Sequence, residues 1–182
     1  FSRLVYFVSD LELRAGEASI PLAGTHLVDL GEDIGALLVP EERPEPGTWD
    51  TIQFRFGLSA ERNVAGAFPD RPEALMEWPS TMGQGYHCMK LEGRYLDAGD
   101  VRSYALHMGP LDGVDCSVPV QLEGPFTVDE GGRIELIMDL LAWMDAPNEI
   151  DVSDPAISGG VMGSAEVQRE LVENGADVWS AR

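Results

Sequence analysis

The sequence is poor in positive charge. Its 182 residues contain 12 Lys and Arg against 32 Asp and Glu, so the formal net charge is −20 at pH 7, and Lys90 is the single lysine. Proteins bind DNA, RNA and anionic membranes through clustered Lys and Arg side chains, which displace counterions from the polyanion. The composition therefore predicts that neither nucleic acid nor an anionic membrane surface is a partner.

Long apolar runs are also missing. No run of about 18 apolar residues is present, so we expect no membrane-spanning segment. Hydrophobic residues make up 44% of the chain and charged residues 24%, which is typical of a folded protein and not of a disordered acidic tail. We expect one domain over residues 1–182. The chain begins at Phe1 inside a predicted strand, without an initiator Met or a signal-peptide pattern, which indicates a processed or truncated start.

The sequence lacks the motifs of common enzymes and of calcium sites. It contains no G-x-S-x-G elbow, no P-loop and no dinucleotide-binding glycine pattern. No acidic run has the alternation of an EF-hand loop. We therefore expect a protein that turns over no substrate, and a metal-dependent oxidoreductase or hydrolase is the least favoured class.

What the sequence does contain is a series of short strand-like segments separated by Gly and Pro. A C-terminal helix is predicted over Ala165 to Asn174, with Ser164 as its N-cap. This pattern predicts a mainly β fold, an antiparallel β-sandwich with short helical turns and a C-terminal helix. The predicted strands are Leu4 to Leu13, Thr25 to Leu30, Thr48 to Phe56, Tyr86 to Gly93, Ser103 to Met108, Val118 to Glu123 and Arg133 to Asp139.

His87 and His107 lie in two of the predicted strands and are candidate metal ligands. A period of two places His87, Met89 and Leu91 on one face of the first strand, and His107 lies in the second. If these strands pair or face one another, the two imidazoles converge. Imidazole and thioether groups suit copper. The alternative is that each histidine is a hydrogen-bonded, half-buried residue and each methionine fills the core.

Cys88 and Cys116 are the only cysteines. They could form one disulfide, bind a metal as thiolates or be unrelated buried thiols. The disulfide is modestly favoured, because Cys88 is expected on the face opposite His87 and the two side chains cannot easily serve one metal. Two cysteines do not decide between an oxidising and a reducing compartment.

Seven segments occur in an order that is typical of one family: Tyr6 to Leu13, His26 to Leu30, Phe54 to Leu58, Met76 to Pro79, Gly85 to Gly93, Ala105 to Gly109 and Asn174 to Trp179. In this order the chain resembles the MbnP-like family of periplasmic or secreted copper-binding proteins, named for a member found in methanobactin operons. The resemblance covers nearly the whole chain. It implies a role in copper acquisition, storage or delivery, and it implies that the family's usual first strand would lie before Phe1.

The resemblance also implies a set of site residues. His107 matches the histidine of an F-H-x-G type motif, with Leu106 in the aromatic place, and His87 matches the Y-H of a longer family variant. Trp78 matches the first tryptophan of a W-x-W pattern, in which Ser80 here replaces the second. In the family and its copper-repressed relatives, such a tryptophan can be oxidised to kynurenine, a modification associated with a partner dihaem peroxidase.

The metal that the resemblance implies is copper, as Cu(I) or Cu(II), held by two imidazoles and one further soft ligand. Met89, Met82 and Trp78, the last with or without modification to kynurenine, are the candidates for that further ligand. Glu92 and Asp112 are candidate acceptors for the second N–H of each imidazole. The alternative function is a metal-free surface interaction or adhesion module that presents an acidic face.

Overall fold

A computed structural model describes residues 1–39, 44–128, 130–131, 133–158 and 160–182, without the side chains of residues 23, 156 and 158. The fold is mainly β and antiparallel, as the sequence predicts. The strands are β1 (Arg3–Ala15), β2 (Ala18–Asp29), β3 (Gly47–Phe56), β4 (Met89–Asp97), β5 (Asp100–Met108), β6 (Val118–Val128), β7 (Leu136–Met138) and β8 (Trp179–Ala181). The helices are α1 (Ala142–Asp145), α2 (Pro155–Ser158) and α3 (Ala165–Asn174), with 3-10 turns at Glu73–Met76, Leu111–Gly113 and Val161–Gly163.

The six-stranded sheet divides into two arms along β1. One edge of β1 pairs with β2, while the other edge pairs first with β4, over residues 3–6, and then with β3, over residues 8–14. The change of partner falls at Phe7, whose N–H donates to Cys88 O (3.3 Å) and whose carbonyl accepts from Gly57 N (2.7 Å). Strand β5 extends the β4 arm, and β6 extends the β3 arm. The hairpin that carries His107 therefore forms one arm of a divided sheet.

A β-bulge at Asp10 changes which residues of β1 face the larger core. Before the bulge, Leu4 and Val8 belong to that core, and after it Leu11 and Leu13 pack against it. The pairing register shifts between Ser9 and Leu11, and Asp10 has φ 54°, a left-handed conformation that Asp tolerates better than most residues. The extra residue keeps both halves of the long strand in contact with the same core.

The larger core is closed by the short β7–β8 sheet and the C-terminal helix. Trp179 of β8 packs its ring at 5.0 Å from Phe54 and 5.8 Å from Phe56, and Trp143 of α1 lies 5.1 Å from Phe56. Edge-to-face and tilted contacts of this kind stabilise aromatic cores beyond the area that they bury.

Helix α3 begins and ends where the sequence predicts. Ser164 is its N-cap and accepts a hydrogen bond from Val167 N at 3.3 Å, and Leu171 is fully buried on its inner face. Among the helices within the described ranges, none combines the length and the apolar character that crossing a membrane requires.

A smaller core lies on the opposite face of β1, below the segment that precedes β4. The odd residues Val5 and Phe7 contribute to it, because successive side chains of a strand alternate between faces. Phe68 stacks on Phe7 with a centroid separation of 5.5 Å. The other buried members are Leu27, Leu58, Met76 and Tyr86. This cluster packs against the segment before β4 that carries His87.

Candidate metal centre

The segment before β4 is fixed by a disulfide between Cys88 and Cys116, with a Cα–Cα distance of 6.2 Å. Both cysteines are therefore paired, and neither is a thiolate available to a metal. A Cβ at Gly57 would lie 2.6 Å from Cys88 Sγ, and Gly57 has φ +89°, so glycine is required beside the bridge. The disulfide ties the start of β4 to the approach to β6 at the point where the two arms of the sheet diverge.

His87 is buried, with 4% of its surface exposed. Its Nδ1 lies 2.8 Å from the Met76 carbonyl oxygen, and since a carbonyl only accepts, Nδ1 carries the proton and donates. The other nitrogen, Nε2, thus keeps a free lone pair, and it is buried without a hydrogen-bond partner. Burial, followed by the charge of Lys90, lowers the pKa of His87 to about 3. The imidazole is therefore neutral at ordinary pH.

His107 is placed by the β4–β5 pairing. Its Nε2 lies 2.9 Å from Oε1 of Glu92, which is also within 3.7 Å of Arg3 Nη1. An ionised carboxylate in this position accepts a hydrogen bond from Nε2–H, so Nε2 carries the proton and Nδ1 is the unprotonated nitrogen. Burial lowers the pKa of His107, and the bond to Glu92 opposes that effect. Both imidazoles therefore have one nitrogen fixed by an acceptor and one with a free lone pair.

The two histidines and the tryptophan are in contact. The ring centroids of His87 and His107 are 5.4 Å apart with an interplanar angle of 87°, and Trp78 lies 4.8 Å from the His87 ring at 71°. Two imidazoles at this separation are close enough for one ion to reach a nitrogen of each. The structure thus brings together the rings of three of the five residues that the sequence predicts as candidate ligands.

Trp78 is held in place from several sides. It is 1% exposed, and its indole Nε1 donates to the Met82 carbonyl oxygen at 3.1 Å. A Cβ at Gly109, the residue that follows β5, would lie only 2.0 Å from the Trp78 ring. Glycine at this position therefore lets the backbone end of β5 approach the indole closely.

Met89 is not brought to the histidines. It pairs with Met108 across the β4–β5 hairpin and is completely buried in the larger core. His107 pairs with Lys90, one residue along, and so lies on the opposite face. The predicted strand from Tyr86 begins at Met89 instead, so the period of two does not extend back to His87.

The remaining candidates, Met82 and Asp112, contribute backbone groups to the surroundings of the site. The Met82 carbonyl accepts from Trp78 Nε1 and, at 2.9 Å, from the backbone N–H of Asp112. Of the two carboxylates suggested as acceptors, Glu92 is the one placed beside His107. Two features of the site were not predicted from the sequence: the Met76 carbonyl, which has no side-chain signature, and the position of Lys90 beside His107.

The donor set fits a soft ion better than a hard one. Across the part of the chain that the structure describes, no three His, Cys, Asp or Glu side chains are grouped to hold a metal. Ca²⁺ and Mg²⁺ require several oxygen ligands, whereas neutral imidazole suits copper. The unpartnered Nε2 of His87 and the adjacent His107 together fit a copper ion.

A family model described as MbnP matches residues 1–162. The matched range includes both histidines, Trp78, the disulfide and every strand of the six-stranded sheet, and it ends just before helix α3. No curated protein and no solved structure gives a significant match.

Proposed function

Because this chain belongs to the MbnP family, we propose that it binds copper through His87 and His107 and serves in copper acquisition, storage or delivery, without turning over a substrate. Copper is its cargo in this proposal. A periplasmic or secreted location is part of the proposal and is supported by the Cys88–Cys116 disulfide, since disulfides persist in oxidising compartments.

The observation that carries the proposal is the unpartnered Nε2 of His87. A buried polar atom without a partner destabilises a fold by about 1–3 kcal/mol, and such atoms are uncommon. The described residues have four, on His26, His87, Trp143 and Trp179. That of His87 belongs to a ring that lies 5.4 Å from a second imidazole, His107. A metal ion would supply the missing partner. Since His87 is already neutral, no proton has to leave the imidazole before a metal binds.

The surroundings of the two rings support the same function. Histidines that bind metals usually donate their second N–H to a carbonyl or a carboxylate, which fixes the tautomer and the ring orientation. Met76 provides the carbonyl for His87, and Glu92 provides the carboxylate for His107. The two acceptors hold the free nitrogens in place before any ion arrives.

Trp78 shields the pair from water in this proposal. Its ring lies edge-on to His87 and is almost fully buried, so it limits access of solvent to the free Nε2. Oxidation of Trp78 to kynurenine by a partner such as a dihaem peroxidase remains a prediction of the resemblance. It would add about 4 Da to a peptide that contains Trp78, which mass spectrometry of the protein from its native source would detect.

The test is an anaerobic Cu(I) titration against a chromogenic chelator, with metal content measured by elemental analysis. We expect about one copper per chain, bound through the paired imidazoles, and loss of that copper in His87→Ala and in His107→Ala. His26→Ala is the matched control, because His26 also has a buried Nε2 without a partner but lies on β2. Far-UV circular dichroism would establish that each variant is folded.

Equal copper uptake by the double variant His87→Ala/His107→Ala would contradict the proposal. Failure of the unaltered protein to bind Cu(I) at all would favour the alternative, a metal-free interaction or adhesion module with an acidic face. The net charge of −20 supports that alternative, since it attracts a basic partner.

A further inference from the structure

The single lysine of the chain lies beside the histidine pair. Lys90 is the register partner of His107 in the β4–β5 hairpin, so the two side chains share one face of the sheet. Lys90 Nζ donates to the Leu75 carbonyl oxygen at 2.6 Å. The next carbonyl along the chain, that of Met76, accepts from His87. Successive carbonyls of the 3-10 turn at Glu73–Met76 therefore hold the ammonium group and the imidazole next to each other.

The charges around the pair are unusual for a protein with a net charge of −20. Contacts and strand register place three charged side chains around His107, namely Glu92, Arg3 and Lys90, and their charges sum to +1. Sites for divalent ions in proteins commonly supply carboxylate ligands to offset the charge of the ion. Here the Glu92 carboxylate already accepts a hydrogen bond from His107 and pairs with Arg3.

We propose that Lys90 is a specificity-determining residue, an inference that rests on the proposed copper function. Its charge makes the His87–His107 site favour a monovalent soft ion, Cu(I), over divalent ions such as Zn(II). The repulsion between a fixed ammonium group and a bound ion is proportional to the charge of the ion, so it is twice as large for a dication. Two neutral imidazoles bring no negative charge to offset it.

Burial makes this repulsion effective. His87 is 4% exposed, and charges in partly buried positions are screened by salt much less than exposed ones. Lys90 Nζ is held by the Leu75 carbonyl, next to the Met76 carbonyl that fixes His87. A metal ion on His87 would therefore lie in the field of this ammonium group.

The experiment compares Ag(I), a soft monovalent ion that does not change its oxidation state, with Zn(II), each titrated alone into the full chain. Lys90→Leu removes the charge and keeps an apolar side chain without a ligand atom, and Lys90→Arg keeps the charge. We expect Lys90→Leu to bind Ag(I) about threefold and Zn(II) about tenfold more tightly, because the gain for a dication is the square of the gain for a monocation. Lys90→Arg should keep the original ratio of affinities.

Arg94→Gln is the matched control. It changes the net charge of the protein by the same amount, but Arg94 is exposed and lies opposite Ser103 on the same hairpin, about 13 Å along the strand from Lys90. Equal factors for the two ions in Lys90→Leu, or a change no larger than that in Arg94→Gln, would overturn the proposal. If Lys90→Leu does not fold, Lys90→Gln provides the same loss of charge.

The two proposals fail in different ways. If the unaltered protein binds neither Cu(I) nor Ag(I), the copper function is wrong and the specificity role of Lys90 is wrong with it. If the unaltered protein binds Ag(I) but the Zn(II)-to-Ag(I) affinity ratio does not respond to Lys90, only the specificity role is wrong.

Discussion

The two faces of the β4–β5 hairpin differ sharply although their residues alternate along the same strands. One face is apolar and completely buried in the larger core, with at most 1% exposure for any of its central side chains, and the other is polar and partly buried. The core face carries Met89, Leu91, Leu106 and Met108, and the histidine face carries Lys90, Glu92 and His107.

The two faces therefore have different roles in the structure. Packing on the core face fixes the hairpin, because buried apolar side chains interdigitate at the density of a crystal. Hydrogen bonds on the histidine face then orient groups whose free nitrogens remain available. The site therefore lies on a rigid element, and a substitution on one face should affect stability far more than one on the other.

The strongest way to break this arrangement is to remove the disulfide, which anchors the hairpin at its start. The bridge closes a sequence separation of 28 residues, for which the chain-entropy relation gives about 3–4 kcal/mol of stabilisation. Cys88→Ser/Cys116→Ser should lower the free energy of unfolding in urea by that amount. It should also weaken Cu(I) binding, since Cys88 adjoins His87. An unchanged unfolding midpoint would show that the packing of the core face fixes the hairpin alone.

Much of the hairpin was accessible to prediction from the sequence. The alternation of apolar residues identified β4 and β5, and their register follows from the two-residue turn at Ala98-Gly99, where both residues have positive φ as in a type I′ hairpin. That register places Lys90 opposite His107, so the turn is the sequence signal for the position of Lys90.

Other features depend on contacts that local sequence does not encode. The alternation fails at His87 because its backbone N–H donates to Met76 O at 2.7 Å, outside the β4 ladder, so Met89 was assigned to the wrong side of the hairpin. Strand β8 is only three residues long and exists because it pairs with β7, an element about 40 residues earlier in the chain. Tertiary pairing of this kind overrides local propensity.

Truncation on the core face should destabilise the protein nearly as much as loss of the disulfide. Leu106 is 1% exposed, and Leu106→Ala should lower the free energy of unfolding by about 3 kcal/mol, since it leaves a cavity in a packed core. Val101→Ala is the matched control, because Val101 belongs to the same strand, points to the other face and is 65% exposed. Its effect should stay within about 0.5 kcal/mol. Similar losses in both variants would remove the distinction between the faces.

His87, whose ring lies against that of His107 on the histidine face, should instead make stability depend on pH. The folded-state pKa of His87 is about 3, below the unfolded value of about 6.5, so between these values the unfolded chain binds the additional proton. Stability is therefore fully present above pH 6.5 and is lost as pH falls towards 3, by up to about 1.4 kcal/mol per pH unit. Between pH 7 and pH 5 the metal-free protein should lose about 2 kcal/mol more than His87→Gln in urea unfolding. Parallel pH profiles of the two proteins would show that His87 is not held neutral by burial.

The smallest stability change is expected at Glu92, where the effect should appear in the chemistry of the site instead. The Glu92 and His107 side chains are 31% and 20% exposed, and partly exposed ion pairs contribute at most about 1 kcal/mol. Glu92→Ala should thus destabilise the protein no more than Glu135→Ala, which removes the Glu135–Arg182 pair at the β7–β8 sheet. Nitrogen-15 NMR should nevertheless show His107 losing its preference for the Nε2–H tautomer in Glu92→Ala alone, because the carboxylate that accepts that proton is gone. If the tautomer is unchanged, the His107 ring is held by its packing against His87, and its orientation is a product of the fold and not of the hydrogen bond to Glu92.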